Sequence, residues 1–302
     1  MFDPRIRMRH LHCFLETARR GSLSAAAETL NVSQPAASKT IRELEEILEV
    51  ALFDRSGRRL ALTQAGKTFQ RYVGAALVEL GRAQDLVRER PVRRSRIAVG
   101  ALPTAATVLL PHAALSLRKT APECLLRVTT GPNWLLLSQL REGALDMVVG
   151  RMAAAQLMEG LSFRQLYSEP IAAIVRAGHP LAGAAADAAT LGRYPLMLPP
   201  PGAVIAPQVQ AYLHGIGLVD PQAAFENVGL AFGRKVVLSS DTIWFISAGV
   251  VHDELESGLL SGIRLNDDLL GGPVGVAMRN NAVMTDEQRH LLAALVEAAG
   301  HR

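Results

Sequence analysis

Cysteine is scarce in this chain: its 302 residues contain two, Cys13 and Cys124. They stand far apart, without a CxxC spacing or a neighbouring His/Cys ligand pattern, which excludes a disulfide framework and fits a reducing cytoplasm. Both are read as small buried hydrophobes. Long apolar runs are missing too. The best candidates, 105–117 and 243–251, are interrupted by Pro, His or Ser and fall short of the ~20 apolar residues that span a bilayer, so no membrane partner is expected. The opening MFDPRIRMRHLH lacks the apolar core of a signal peptide, and a cytoplasmic location is expected. The GxSxG, HExxH, GxxxxGK[ST] and GxGxxG patterns are all absent, and neither GAVIAPQ nor GALPTAA supplies the glycines of a phosphate loop. With no Cys/His/carboxylate cluster either, no catalytic residue, metal or cofactor is expected.

What remains is 49% apolar and 20% charged, a soluble globular composition long enough for two or three domains. The charge is uneven. Residues 1–90 hold 15 basic and 11 acidic side chains, Arg93, Arg94 and Arg96 add three positive charges, and the remainder carries a net −3. A basic first third joined to a faintly acidic remainder is the balance of a nucleic-acid module attached to a second domain.

Leu11, Phe14, Leu15 and Ala18 recur at i, i+3, i+4, i+7 and predict a helix that Gly21 stops. Ser22 and Ser24 are candidate N-caps for a short helix through Leu30, closed by Asn31, which tolerates the left-handed conformation. A third helix begins near Ser33 with Pro35 in its first turn, where a missing N–H is harmless, and runs to about Leu48, burying Ile41, Leu44 and Ile47 or Leu48. ALFDRSGRRLALTQAG then reads as two short strands around Ser56-Gly57, with Arg55, Arg58 and Arg59 near the tip. That order is a winged helix-turn-helix, assigned to residues 1–62. Residues 63–92 read as a linker helix in which Val73, Leu77, Leu80, Gln84 and Val87 form a short heptad seam suited to dimerisation, ended by Pro91.

From residue 93 short β-branched runs alternate with helices. The strands are RIAVGAL, CLLRVTT, DMVVGR, YPLMLPP, AAFENV, TIWFIS and GIRLN; the helices are expected over 106–120, 133–142, 205–213, 230–238 and 251–260. This predicts a parallel sheet. A last helix opens with the capping box Thr285–Gln288. The fold class is therefore α/β: a winged helix-turn-helix and linker helix, then two α/β subdomains of periplasmic-binding-protein-like architecture. Subdomain I takes 93–168 and 267–302, subdomain II takes 169–266, and the chain crosses between them near Ser168 and Asn266.

A helix in the major groove presents its opening turn to base edges. Ser33, Gln34, Pro35, Ala36, Ala37, Ser38 and Lys39 fill that turn, with Arg42 one turn on. Gln34 can pair bidentately with adenine, Ala36 and Ala37 permit close approach and contact with a thymine methyl, and Lys39 and Arg42 suit phosphates. Arg55 and Arg58 lie on the wing, where Arg58 could enter a minor groove. The alanines Ala25–Ala27 let the second helix pack closely on the third.

A small-molecule site in such a sheet belongs at the carboxyl ends of parallel strands, where helix N-termini favour anions. That selects Pro103, Thr104 and Ala105; Thr130, Gly131, Pro132 and Asn133; and Gly202, Ala203, Val204 and Ile205 with Asp241 and Thr242. Thr104 and Asn133 offer donors to a carboxylate or a sugar hydroxyl. Asp241 would repel an anion and is read as a structural cap; His179 in RAGHPL is read as a surface turn former. Arg151 and Arg234 could balance a carboxylate, but arginines at such places mostly sit in water.

The run SLSAAAETLNVSQPAASKTIRELEEILEVALFDRSGRRLALTQAG resembles the N-terminal signature of the LysR-type transcriptional regulators, and LREGALDMVVGR and RAGHPLA are similar to that family's effector-binding domain. The resemblance spans essentially the whole chain. It implies a dimer of dimers on an interrupted palindrome of double-stranded DNA, usually activation with RNA polymerase as a partner, and a small-molecule effector. Two positions depart from the family: Lys39 stands where Arg is usual and Glu49 where Gly is usual. ASKTIRELEEIL and GLSFRQLYSEPIAAIVRAGHPL resemble a branch that includes the regulator of the protocatechuate catabolic operon, which responds to a carboxylated muconate, and a sugar-responsive regulator. The rival readings are a solute-binding module, which the basic first third opposes, and an enzyme with an unrecognised site.

Overall fold

Phe14, fully buried, lies in the hydrophobic core of the N-terminal part of the chain, and its ring meets those of Phe53 at 5.4 Å and Phe69 at 5.1 Å between centroids. The computed structural model describes residues 3–55, 60–87, 95–265, 271–280 and 282–300. Helices α1 (Met8–Arg20), α2 (Leu23–Thr29) and α3 (Gln34–Leu48) are followed by the antiparallel pair β1 (Phe53–Asp54) and β2 (Ala61–Leu62) and by helix α4 (Gln64–Val87). Each boundary has a local cause. Gly21 adopts φ 63° after α1, the Ser22 hydroxyl accepts from the Ala25 N–H, Asn31 takes φ 54°, and the Ser33 hydroxyl accepts from the Ala36 N–H. Thr63 accepts from the Gly66 N–H at 3.0 Å, and a side chain at Gly66 would collide with the Leu52 carbonyl. Val73 is buried in this core and Leu77 packs against it, so the first part of the heptad seam is used within the unit, whereas Leu80 is exposed.

A second compact unit divides from the first around residue 91. Its first part contains β3 (Arg96–Ala101), α5 (Pro103–Ala106), α6 (Leu109–Thr120), β4 (Leu125–Thr130), α7 (Asn133–Arg141) and β5 (Met147–Arg151). The chain continues through β6 (Leu161–Arg176), α8 (Ala188–Leu191), β7 (Leu196–Leu198), α9 (Ala206–Gly215), β8 (Ala223–Glu226), α10 (Leu230–Leu238) and β9 (Ile243–Ser247). It ends with α11 (His252–Glu256), β10 (Leu260–Ile263), β11 (Gly271–Arg279) and α12 (Asp286–Gly300). Among the described residues, eight of these strands form one path, β4-β3-β5-β11-β6-β9-β7-β8, and the ninth, β10, pairs with β6.

The expected sheet is wholly parallel; the observed one is mixed. β3 pairs in parallel with β4 and β5, and β7 with β8 and β9, but β6, β10 and β11 run antiparallel. Neither β6 nor β11 was expected as a strand; β6 makes the first crossing, and β11 pairs with β5 and the first part of β6. Leu161–Pro170 pairs with β11 and Ile171–Arg176 with β9 and β10, so a single strand serves both halves. Asn266, expected at the second crossing, lies outside the described residues. Two helices are also shorter than expected. The 106–120 helix is broken at Thr107-Val108 into α5 and α6, and the 251–260 helix stops at Glu256 because Gly258 turns left-handed at φ 69°.

In the first half, Ile97, Val99 and Ala101 face α6 and α12 on one side of the sheet while Ala98 faces α7 on the other, the period of two that a doubly covered strand shows. The second half packs around Trp244 and Phe245, and a side chain at Gly233 would overlap the Trp244 ring. The final capping box forms as written: the Thr285 N–H donates to Gln288 Oε1 at 3.0 Å and the Gln288 N–H to Thr285 Oγ1 at 3.3 Å.

Glu49 closes α3 in the left-handed region at φ 55°. A non-glycine residue there costs about 1–2 kcal/mol, partly offset by the greater unfolded freedom of glycine. Glu49→Gly is expected to stabilise the helix-turn-helix unit by about 0.5–1 kcal/mol, read as a higher denaturant midpoint at unchanged slope; a lower midpoint would contradict the cap.

Candidate nucleic-acid interface and effector crevice

In α3 the apolar stripe Ala37, Ile41 and Leu44 faces the core, which turns the opposite side outward. Gln34, Pro35 and Ala36 are exposed at the opening turn, Lys39 and Arg42 are exposed after it, and Ser38 is half-buried. Ser33 spends its hydroxyl on the cap. Ala37, grouped with Ala36 as a base contact, instead lies inside: it is 1% exposed, and its carbonyl accepts from the Cys13 thiol at 3.6 Å. Arg42 has no carboxylate partner among the described residues. Its Nε donates to the Ser38 carbonyl at 3.4 Å, leaving the fork at the surface.

Arg55 is committed otherwise. Its Nη2 pairs with Glu45 Oε2 at 2.9 Å, and Glu45 Oε1 accepts from the Leu52 and Phe53 N–H groups at 2.8 and 3.1 Å. This carboxylate fixes how the chain enters the wing, and a charge-assisted bond of this kind holds Arg55 beside it. Arg58 and Arg59 lie outside the described residues.

The carboxyl ends of the parallel strands meet in the second unit, where α5 packs against the 3₁₀ turn Ala248–Val251. Val204, from the loop after β7, reaches the cluster of Leu102, Leu136 and Ala153 in the first half. Thr104 and Ala105 are buried and Pro103 half-buried at the start of α5; Thr130 and Pro132 are exposed and Gly131 half-buried before α7. Gly202 is exposed, Ala203 and Val204 are half-buried and Ile205 is buried. Asn133 is 6% exposed at the first position of α7, and its buried Nδ2 has no hydrogen-bond partner. Such a group is costly to leave unpaired.

Thr242 does not belong to this crevice. It stands at the amino end of β9, bonded to Ser240 Oγ at 2.8 Å, whereas the carboxyl end is Ser247. Asp241, beside it and read as a cap, instead pairs with Arg176 at 2.6 Å. Arg234 is exposed and pairs with Glu254 at 2.8 Å. His179 does hold its turn, Nδ1 accepting from the Leu181 N–H at 3.0 Å, but it is not on the surface. It is 4% exposed and lies 4.5 Å from the Tyr194 ring, and burial pushes its pKa down.

Arg151, expected in water, is the most deeply engaged charge of the crevice. Its Nε donates to Ser247 Oγ at 2.7 Å, Nη2 to the Glu169 and Pro170 carbonyls at 2.8 and 3.2 Å, and Nη1 to the Gly272 carbonyl at 3.4 Å. The Glu169 carboxylate is 4.0 Å away. Burial lowers the guanidinium pKa, and Glu169 and Tyr167 oppose that. The clasp ties the end of β5 to β6, β11 and β9. No signal along the sequence marks it, because its partners lie 18, 19, 96 and 121 residues away.

Gly249 closes the clasp, since a side chain there would overlap the Glu169 carboxylate. Gly249→Ala is expected to destabilise the second unit by about 1–3 kcal/mol through overpacking against a buried ion pair, lowering its melting temperature by several degrees. An unchanged melting temperature would contradict the contact.

Residues 8–67 match the bacterial regulatory helix-turn-helix protein of the lysR family, and residues 91–300 match the LysR substrate binding domain. The chain is 41% identical to the HTH-type transcriptional regulator PcaQ of Agrobacterium fabrum over 302 residues, which covers 99% of this chain and 97% of that protein. ArgP from Mycobacterium tuberculosis matches with a TM-score of 0.70 at 15% identity over 97% of each chain. Full-length CbnR complexed with its target DNA matches with a TM-score of 0.54 at 20% identity, over 97% of this chain and 100% of that one. At those identities the likeness is one of fold. With both domains matched and the relationship to PcaQ running end to end, the chain belongs to the LysR family of transcriptional regulators, which bind DNA operators and small-molecule effectors as oligomers and are not enzymes.

Proposed function

We propose that this regulator controls a catabolic operon of aromatic-acid breakdown from the cytoplasm, as a dimer of dimers on an interrupted palindrome, and that it activates transcription with RNA polymerase. The similarity to PcaQ supports the choice of operon. Residues 1–62 act as the DNA-binding head, 63–92 as the dimerising linker, and 93–302 as the effector-binding region, with subdomain I at 93–168 and 267–302 and subdomain II at 169–266. In the head, Gln34 reads a base edge, Ala36 allows close approach, and Lys39 and Arg42 hold phosphates.

The effector is a small carboxylic acid such as a carboxylated muconate, held between the subdomains by Thr104, Asn133 and the loop at Gly202–Ile205. The observation that carries this reading is the buried Asn133 amide without a partner at the N-terminus of α7, a nine-residue helix. An uncharged donor and the positive end of a helix dipole converge there, which suits a carboxylate. A ligand in this position regulates only by favouring one arrangement of the assembly over another.

Thermal-shift measurements with muconate-type acids and with sugars test the effector class. An acid at about a hundred times its dissociation constant stabilises the protein by about 2.7 kcal/mol, and Asn133→Asp abolishes that shift by repulsion while leaving the unliganded protein folded. Stabilisation by a sugar and by no acid overturns the assignment. For the head, Gln34→Ala is expected to relax base preference at one position by about 1–3 kcal/mol. Arg42→Ala should weaken all duplexes and flatten the salt slope by about one. If neither changes binding, α3 is not the reading helix.

A further inference from the structure

Among the described residues, most cations of the helix-turn-helix are held by its own carboxylates. Arg5 pairs with Asp3 at 2.8 Å, Arg19 and Arg20 with Glu16 at 2.6 and 2.8 Å, and Arg55 with Glu45 at 2.9 Å. Apart from Glu45, those pairs involve no residue of α3. Glu43, also on α3, is different because it stands one turn after Lys39. Its Oε1 lies 3.9 Å from Lys39 Nζ, and its Oε2 lies 3.2 Å from Arg9 Nη2 and 3.3 Å from His10 Nε2.

The His10 contact keeps the carboxylate where it is. His10 is 2% exposed and its Nδ1 accepts the Arg7 N–H at 3.1 Å, which leaves Nε2 to carry the proton and donate to Glu43. A donor buried in the core thus anchors one oxygen of an otherwise surface carboxylate. That bond, with Arg9 and Lys39 adding to it, holds the Glu43 carboxyl below the usual carboxylate range, so it is ionised at neutral pH. Helix stabilisation is a poor account of the charge: with Lys preceding Glu, the i,i+4 pair runs in the less favourable direction.

We propose that Glu43 is an electrostatic brake on DNA binding. Its fixed negative charge occupies Lys39 and Arg9 and repels phosphate, withholding two cations from the duplex backbone. Sequence-independent affinity scales with the number of phosphates neutralised. Braking it leaves recognition dependent on base contacts at the opening turn of α3, which raises the ratio of specific to non-specific binding. The inference rests on α3 being the reading helix.

Glu43→Gln tests it, because glutamine keeps an acceptor for His10 and loses the charge. In the full-length protein, binding to random-sequence duplexes by fluorescence anisotropy should strengthen about three- to tenfold at ~50 mM salt, with a slope against log salt steeper by about one to two. Preference for a duplex selected from a random pool by the wild-type protein should fall. Lys39→Gln in the Glu43→Gln background should remove about one unit of that slope, and should cost less affinity in the wild-type background, where Lys39 is already occupied. Random-duplex affinity that is unchanged or lower in Glu43→Gln, while Arg42→Ala still flattens the salt slope, overturns the brake and leaves the reading of α3 intact. If Arg42→Ala also has no effect, that reading fails and the inference with it.

Discussion

The effector half depends on the guanidinium of Arg151 at the place where β6 changes partners. Up to Pro170 that strand pairs with β11, and from Ile171 it pairs with β9. Proline has no N–H to give to a ladder, and a strand that hands over from one neighbour to another leaves carbonyls facing the gap. Arg151 Nη2 donates to two of these, at Glu169 and Pro170. The same side chain reaches Ser247 at the carboxyl end of β9, so the hydrogen bonds that make the switch in pairing tolerable also join the two halves. Charge balance follows from packing: Glu169 is buried against Gly249, and a larger residue at 249 would displace it.

The two units use charge differently. In the helix-turn-helix, ion pairs lie at the surface, where one pair is worth at most about 1 kcal/mol and salt screens it. Stability there comes from the Phe14 core and from caps, and the charges are left to govern what the surface attracts. In the effector half the Arg151 pair is out of water, and a charge deprived of its partners in such a place costs about 3–5 kcal/mol. A surface network can therefore be rearranged by an approaching polyanion, whereas the clasp resists any change that leaves it unsatisfied.

What could be read from the residues alone was whatever has a local cause. Gly21, Ser22, Asn31, Ser33, Pro35 and the Thr285–Gln288 box act within one turn of chain, and each lies where its chemistry requires. β6 and β11 were not legible, because they carry Pro170 and Pro273 and mixed apolar and polar positions that obscure a strand period. Val73 and Leu77 read as a dimer seam because a heptad spacing does not say whether the partner helix belongs to another subunit or to the same core. At the crevice the rule of carboxyl ends was misapplied at β9: Thr242 precedes the strand, and Ser247 ends it. Arg151 was out of reach for another reason. An arginine at a strand end is ordinary, and only folding brings Ser247, Glu169 and Gly272 around it.

Sharing β6 between the halves also limits how they can move. Two subdomains joined by loose linkers could adopt a continuum of angles, but here the joint is a hydrogen-bonded strand with a buried cation beside it. A rotation that opens the crevice must either keep Ser247 within reach of Arg151 Nε or supply that nitrogen with another acceptor. Packed joints with such requirements have few acceptable arrangements rather than many. That discreteness is what a ligand-controlled repressor or activator needs, because a small molecule shifts an equilibrium only by the difference in its affinity for distinct states. The buried clasp is thus more than a stabilising contact, since its hydrogen bonds limit the arrangements open to the two halves.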